Sequence, residues 1–159
     1  MSTAIIYCTK HGTAARIALM MKEKLSDEST VINLKKEKDF SISQYDKIVL
    51  GGSVYAGRMS GKLKKFAKKY QNELLGKKLA LFAVCMDKSD TRGQYLDKNL
   101  PAELVQAAIA ICFPGAEFYF EKMNFLEKSI IRKITGFTEN VSQIDEAAID
   151  EFCRKIESA

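Results

Sequence analysis

Ile5 to Ala18 is the stretch that most limits what this chain can fold into. An apolar run ends in a short turn, Thr9-Lys10-His11-Gly12-Thr13-Ala14, and helical spacing starts at once. Such an apolar run suits a strand buried on both faces, and strands of that kind belong to parallel sheets whose crossovers are helices. The turn presents hydroxyls and backbone N–H groups. The helix behind it adds the partial positive charge of its N-terminus, so the unit is built as a phosphate cradle.

The rest of the chain repeats the alternation. Strand patterns fall at Thr3–Cys8, Ser29–Leu34, Tyr45–Gly52 and Lys78–Cys85, and a fifth at Ile111–Phe120 is interrupted by Pro114-Gly115, with its core pairing placed near Gly115–Phe118. Helical spacing covers Thr13–Leu25, Ser60–Leu75, Pro101 to about Ala110, and Gln143–Ile156 with Ser142 as its cap. Alternation of this kind predicts an α/β fold: a doubly wound five-stranded parallel sheet of order 2-1-3-4-5 with helices on both faces. One domain over residues 1–159 is expected. Residues 121–141 read as an insertion before the last helix, with Met123, Leu126, Ile130, Ile131 and Ile134 at helical spacing beside Lys122, Lys128, Arg132 and Lys133. That pattern packs on a domain or lies on a membrane surface.

At 159 residues and 47% hydrophobic content the chain can bury one core but hardly two. No signal peptide is expected at its start, and no apolar run approaches the roughly 20 residues of a membrane span. Cys8, Cys85, Cys112 and Cys153 are scattered, with no CxxC and one histidine in the chain. This argues for reduced thiols in a cytoplasmic protein and against a metal site or a disulfide framework. The net charge of +5 is concentrated in Lys62, Lys64, Lys65, Lys68, Lys69, Lys77 and Lys78. These form a solvated helix face or a docking surface for an acidic partner or an anionic membrane. Without interleaved surface aromatics or a recognition motif, nucleic acid is not an expected partner.

In a sheet of this order, ligands bind beyond the carboxyl ends of the strands, so three loops should hold the site. In the first, Thr9, Gly12 and Thr13 suit a phosphate monoester, Lys10 adds charge or faces solvent, and His11 is a donor to the anion or a structural histidine. It is neither GxxxxGK[ST] nor GxGxxG. Cys8 and Thr9 stand where a receiver domain of the two-component type would place acids. In the second, Ser53-Val54-Tyr55-Ala56-Gly57 offers an aromatic face and close backbone approach to a flat ligand, or is an ordinary turn. In the third, Cys85, Met86 and Asp87 could wall a ring system, with Tyr95 a second stacking group. No base is paired with Cys85 by any motif, so it reads as a wall residue and not a nucleophile.

These residues resemble the flavodoxin family, whose phosphate loop runs T-x-T-G-x-T. Thr9 and Gly12 match it, while His11 and Ala14 stand at its middle and last hydroxyl positions. Gly51-x-Ser53-Val54-Tyr55-x-Gly57 and the segment from Pro114-Gly115-Ala116-Glu117-Phe118 to Thr135-Gly136 look like the menaquinone-dependent protoporphyrinogen oxidase branch. The resemblance implies FMN as cofactor and electron transfer as function. Thr9, Lys10, His11, Gly12, Thr13 and Ala14 would lie at the phosphate. Ser53, Val54, Tyr55, Ala56 and Gly57 would lie at the ring, opposite Cys85, Met86, Asp87 and Tyr95. It implies a redox partner protein, or a quinone or porphyrinogen-type substrate, and leaves peripheral membrane contact open. A plain electron carrier docking an acidic partner, and a non-redox binding module with a decayed flavin site, are the alternatives. The basic charge balance implies a reduction potential less negative than that of an acidic flavodoxin, because nearby cations stabilise the reduced, anionic ring.

Overall fold

The computed structural model describes residues 1–119, 124–135 and 140–159. Five strands form one parallel sheet: β1 Ser2–Cys8, β2 Glu28–Asn33, β3 Lys47–Ser53, β4 Lys78–Val84 and β5 Ala110–Cys112. Their order is β2-β1-β3-β4-β5, as the alternation predicts. Side chains alternate across the sheet and build two cores. Ile5, Tyr7, Val49 and Phe82 face helices α1 (Thr13–Lys24) and α7 (Glu146–Glu157). Ala4, Ile6, Leu50 and Leu81 face α2 (Gly61–Lys69), α3 (Gln71–Leu75), α4 (Gln94–Asn99) and α5 (Ala102–Ala107).

The helix expected over Ser60–Leu75 is two helices that meet at Tyr70, whose backbone leaves the helical region (φ −102°, ψ 18°). The break carries Leu74 fully into the core and leaves Phe66 and Tyr70 half-buried at the surface. The expected helix after Pro101 ends at Ala107, and a further short helix, α4, lies just before it.

The fifth strand corrects the expected pairing. Ala110–Cys112 pairs with β4, whereas Gly115–Phe118 is a separate strand, β6, antiparallel to β7 at Val141–Ile144. Pro114 has no N–H to continue the ladder on β4. Gly115 then turns the chain at φ 83°, where a Cβ would sit 1.9 Å from the Gln143 carbonyl oxygen. The last helix is capped by Asp145, not Ser142. Asp145 Oδ1 accepts from the Ala148 N–H at 3.0 Å, and Ser142 lies in β7. Within the expected insertion, α6 spans Phe125–Thr135, and Phe125 and Leu126 are 82% and 67% exposed, so Leu126 belongs to no core stripe. Lys122 and Met123 lie outside the described residues.

At the edge of the sheet away from the loops, Lys47 is 2% exposed. Its Nζ donates to the Ile156 carbonyl at 2.7 Å and lies 3.3 Å from Asp27 Oδ2, so one ammonium ties β3 to the C-terminal end of α7. Replacing it with an apolar side chain strands those acceptors. Lys47→Met should cost roughly 1.5–3 kcal/mol, the range of a charge-assisted hydrogen bond, and lower Tm by roughly 5–10 °C in thermal unfolding. An unchanged Tm would contradict this role.

Candidate functional site

The loops after β1, β3 and β4 converge at the carboxyl edge of the sheet, with β6 beside them. The first loop turns straight into α1 because Gly12 takes φ 94°, and Thr9 Oγ1 closes it by accepting from the Gly12 N–H at 2.9 Å. Lys35, beyond β2, donates to the Thr9 carbonyl at 2.5 Å. Thr13 is almost buried, and its hydroxyl donates to the Glu117 carbonyl at 3.3 Å. Ala14 is fully buried in the core against β1 and α7, so only its backbone can serve a ligand.

Two carboxylates from outside the loop engage its donors. Glu117 on β6, 5% exposed, accepts from Arg16 on α1 and from the Ser142 hydroxyl at 2.8 Å. Glu127 on α6 accepts from His11 Nε2 and lies 3.8 Å from Lys10 Nζ. Lys10 Nζ also sits 4.0 Å from the centroid of the Tyr55 ring, a cation–π contact that joins the first loop to the second.

The second loop is a tight two-residue turn. Tyr55 and Arg58 exchange backbone hydrogen bonds of 2.8 and 3.0 Å across Ala56 (φ 50°) and Gly57 (φ 78°). A left-handed alanine is a strained conformation, and such strain collects at ligand-holding turns. Buried Asn99 on α4 clamps the turn: its Oδ1 accepts from the Met59 N–H at 3.0 Å and its Nδ2 donates to the Gly57 carbonyl at 3.1 Å. The Tyr55 hydroxyl is buried without a hydrogen-bond partner among the described residues. Burial first, and the Glu127 charge second, push its pKa up.

In the third loop, Asp87 folds the chain on itself. It accepts from the Ser89 N–H at 2.7 Å and from the Tyr95 hydroxyl at 2.9 Å. Hydrogen bonds from Ser89, then from Tyr95, hold the Asp87 carboxyl below the usual range. Tyr95 is thereby engaged with Asp87, and its own pKa is raised by that bond.

A cleft of about 40 Å³ lies between the loops, lined by Lys10, His11, Thr13, Ser53, Val54, Tyr55, Cys85 and Glu117 among others. Larger cavities flank it. One of about 580 Å³ is bounded by Thr9, Lys10, Lys35, Ser53, Tyr55, Ala56 and Arg58, and one of about 570 Å³ by Cys85, Met86, Asp87, Arg92, Phe113 and Gln143. Most of the expected residues are thus brought together. Gly12 shapes the first loop and Gly57 the second, while Tyr95 lines none of these three cavities.

The donor set fits a phosphate, because an anionic carboxylate already sits on it. The glycine-bearing second loop and the orphaned Tyr55 hydroxyl fit a polar ring system. A ring needs more room than the central cleft provides with Lys10 lying on Tyr55. Lys35, Arg58, Asn99, Glu117 and Glu127 were missed in the sequence. Lys35 had a usable signal, its place just beyond a strand's carboxyl end. The two glutamates had none, since distant segments bring them in.

The sequence matches the flavodoxin domain model over residues 4–145, and the chain belongs to the flavodoxin family, the FMN-binding family its three loops resemble. It is 26% identical over 165 residues to protoporphyrinogen IX dehydrogenase [quinone] of Leishmania major, covering 93% of this chain and 71% of that protein. A short-chain flavodoxin associated with a PDU bacterial microcompartment has a similar fold, at TM-score 0.62 and 14% identity over 99% of this chain and 97% of that one. So do the flavodoxin of Streptococcus pneumonia, at TM-score 0.61 and 12% identity over 99% of each chain, and the flavodoxin, WrbA-like protein of Agrobacterium tumefaciens, at 0.57 and 18% over 99% and 95%.

The four thiols are free and buried. Burial is the first cause that raises each: Cys112 to about 12, Cys153 to about 11, and Cys8 and Cys85 in the same direction. At about pH 8 all four should therefore stay protonated and slow to react with iodoacetamide, while denatured chain is labelled at all four. Fast alkylation of Cys85 in the native protein would contradict its place as an inert wall residue.

Proposed function

We propose that this flavodoxin-family chain binds FMN in the crevice between the loops after β1, β3 and β4 and passes electrons through it. The observation that carries the reading is the sheltered anion on the first loop, where His11 and Lys10 hold the Glu127 carboxylate near the start of α1. Bound FMN would supply the redox chemistry, its ring taking electrons from one partner and giving them to another. The chain's own residues would bind and orient it. The N–H groups of Thr13 and Ala14 in the first turn of α1, with Lys10 and His11, would hold the phosphate. Thr9 keeps that loop closed through Gly12. Tyr55 would cover the ring, the Ala56-Gly57 peptide would meet its polar edge, and Cys85, Met86 and Asp87 would form the opposite wall.

Two finer readings have separate support. For an oxidase acting on a porphyrinogen-type substrate with a quinone, the support is the Leishmania relative together with the cavity beside the third loop, where Arg92 lies 4.7 Å over the Phe113 ring. For a carrier that docks an acidic partner, it is the groove where Lys38, Lys62, Lys65 and Lys69 surround Phe40, Phe66 and Tyr70. We favour the oxidase reading for its agreement with the relative. Among the described residues no helix is long and apolar enough to cross a membrane. Exposed Phe125 and Leu126 beside Lys128 are what would support peripheral contact, and the four free thiols support a cytoplasmic location.

The protein purified from cells should be yellow and release FMN on denaturation, and it should oxidise protoporphyrinogen with a quinone acceptor in membrane-mimicking detergent. Bound flavin without turnover, but with partner reduction that falls steeply as salt rises, would select the carrier. A colourless protein that fails to quench added FMN fluorescence would overturn the flavin reading.

A further inference from the structure

Glu127 reaches the phosphate loop from a helix more than a hundred residues further along the chain. Its side chain is 13% exposed and that of His11 is 18%, so their contact is sheltered from water. The same carboxylate faces Lys10, whose ammonium lies over Tyr55 and narrows the cleft between the first two loops. Just ahead of Glu127 on the same helix, Phe125 and Leu126 are 82% and 67% exposed. Asn124 accepts from the Glu127 N–H at 2.8 Å, which fixes the start of the helix and the direction of the glutamate.

We propose that Glu127 is an internal competitor for the phosphate seat, and that it sets how strongly the site prefers a phosphorylated flavin over an unphosphorylated one. The proposal rests on the flavin reading above. A carboxylate and a phosphate seek the same donors, and a phosphate monoester carries about −1.5 to −2 charges at neutral pH. Both cannot keep His11 and Lys10 in a sheltered site. FMN must therefore displace Glu127 and leave its charge close by, whereas riboflavin, with no phosphate, leaves the Glu127–His11 pair in place. The cost falls on FMN alone, so the glutamate compresses the discrimination between the two ligands. The opposite role is also physically definite: a carboxylate that orients His11 toward the phosphate would strengthen FMN binding.

Glu127→Gln removes the charge and keeps the size, so it separates these roles. Flavin-free protein is titrated with FMN and with riboflavin, following flavin fluorescence, for the wild type, Glu127→Gln and the remote exposed control Glu103→Gln. Thermal unfolding checks that all three are folded. The expected result is an FMN Kd lowered by about ten-fold or more in Glu127→Gln, with riboflavin changed by less than about two-fold and the control unchanged. FMN binding that is unchanged or weaker overturns the proposal, as does an equal gain for riboflavin, which would mean that the variant only opened space. If FMN binds to neither the wild type nor the variant, the flavin reading itself fails and this inference with it. FMN bound equally by both defeats the inference alone.

Discussion

The site exists because β1 lies inside the sheet, with β2 on one side and β3 on the other. Burial on both faces demands an uninterrupted apolar strand, and Ala4 to Cys8 meets that demand. From a central strand the chain leaves by α1 to one face, while the helices after β3 cover the other. The carboxyl ends of β1 and β3 are then adjacent and their loops diverge, which opens a crevice lined by backbone polar groups. Lys47 ties the far end of β3 to the C-terminal end of α7.

What the sequence disclosed and what it hid divide along physical lines. Strand order and the location of three loops follow from local pattern: apolar runs, helical spacing and a glycine turn ahead of α1. The pairing of Gly115–Phe118 with Val141–Ile144 does not, because it joins segments separated by an insertion and depends on Pro114 ending the ladder at Cys112. Asp145 outcompetes Ser142 as the cap of α7 because Ser142 is held in β7 and spends its hydroxyl on Glu117. Within the site, Thr9, Lys10 and His11 were legible as loop chemistry. Glu117, Glu127 and Asn99 were not, since each acts through a tertiary contact that no spacing encodes. Tyr95, expected as a second stacking group, carries a hydroxyl bond to Asp87 that the spacing does not disclose.

Those hidden residues change the electrostatic picture. A net charge of +5 points to a cationic surface, yet the cleft holds two sheltered carboxylates, each matched to a cation or a ring donor of the first helix or loop. Charges close to the ring outweigh the distant, solvent-screened lysines of α2. On the proposed placement, the field at a bound flavin would be set by Lys10, Arg16, Lys35 and Arg58 against Asp87, Glu117 and Glu127 more than by the composition of the whole chain.

The central claim is that the three loops form one FMN site, and mapping backbone amide shifts by NMR as FMN is added to the flavin-free protein tests it most directly. The account predicts concerted changes at Lys10 to Ala14, at Val54 to Gly57 and at Cys85 to Asp87, with the Lys62–Lys69 helix unmoved. Shifts confined to one loop, or centred on the lysine-rich helix, would contradict it.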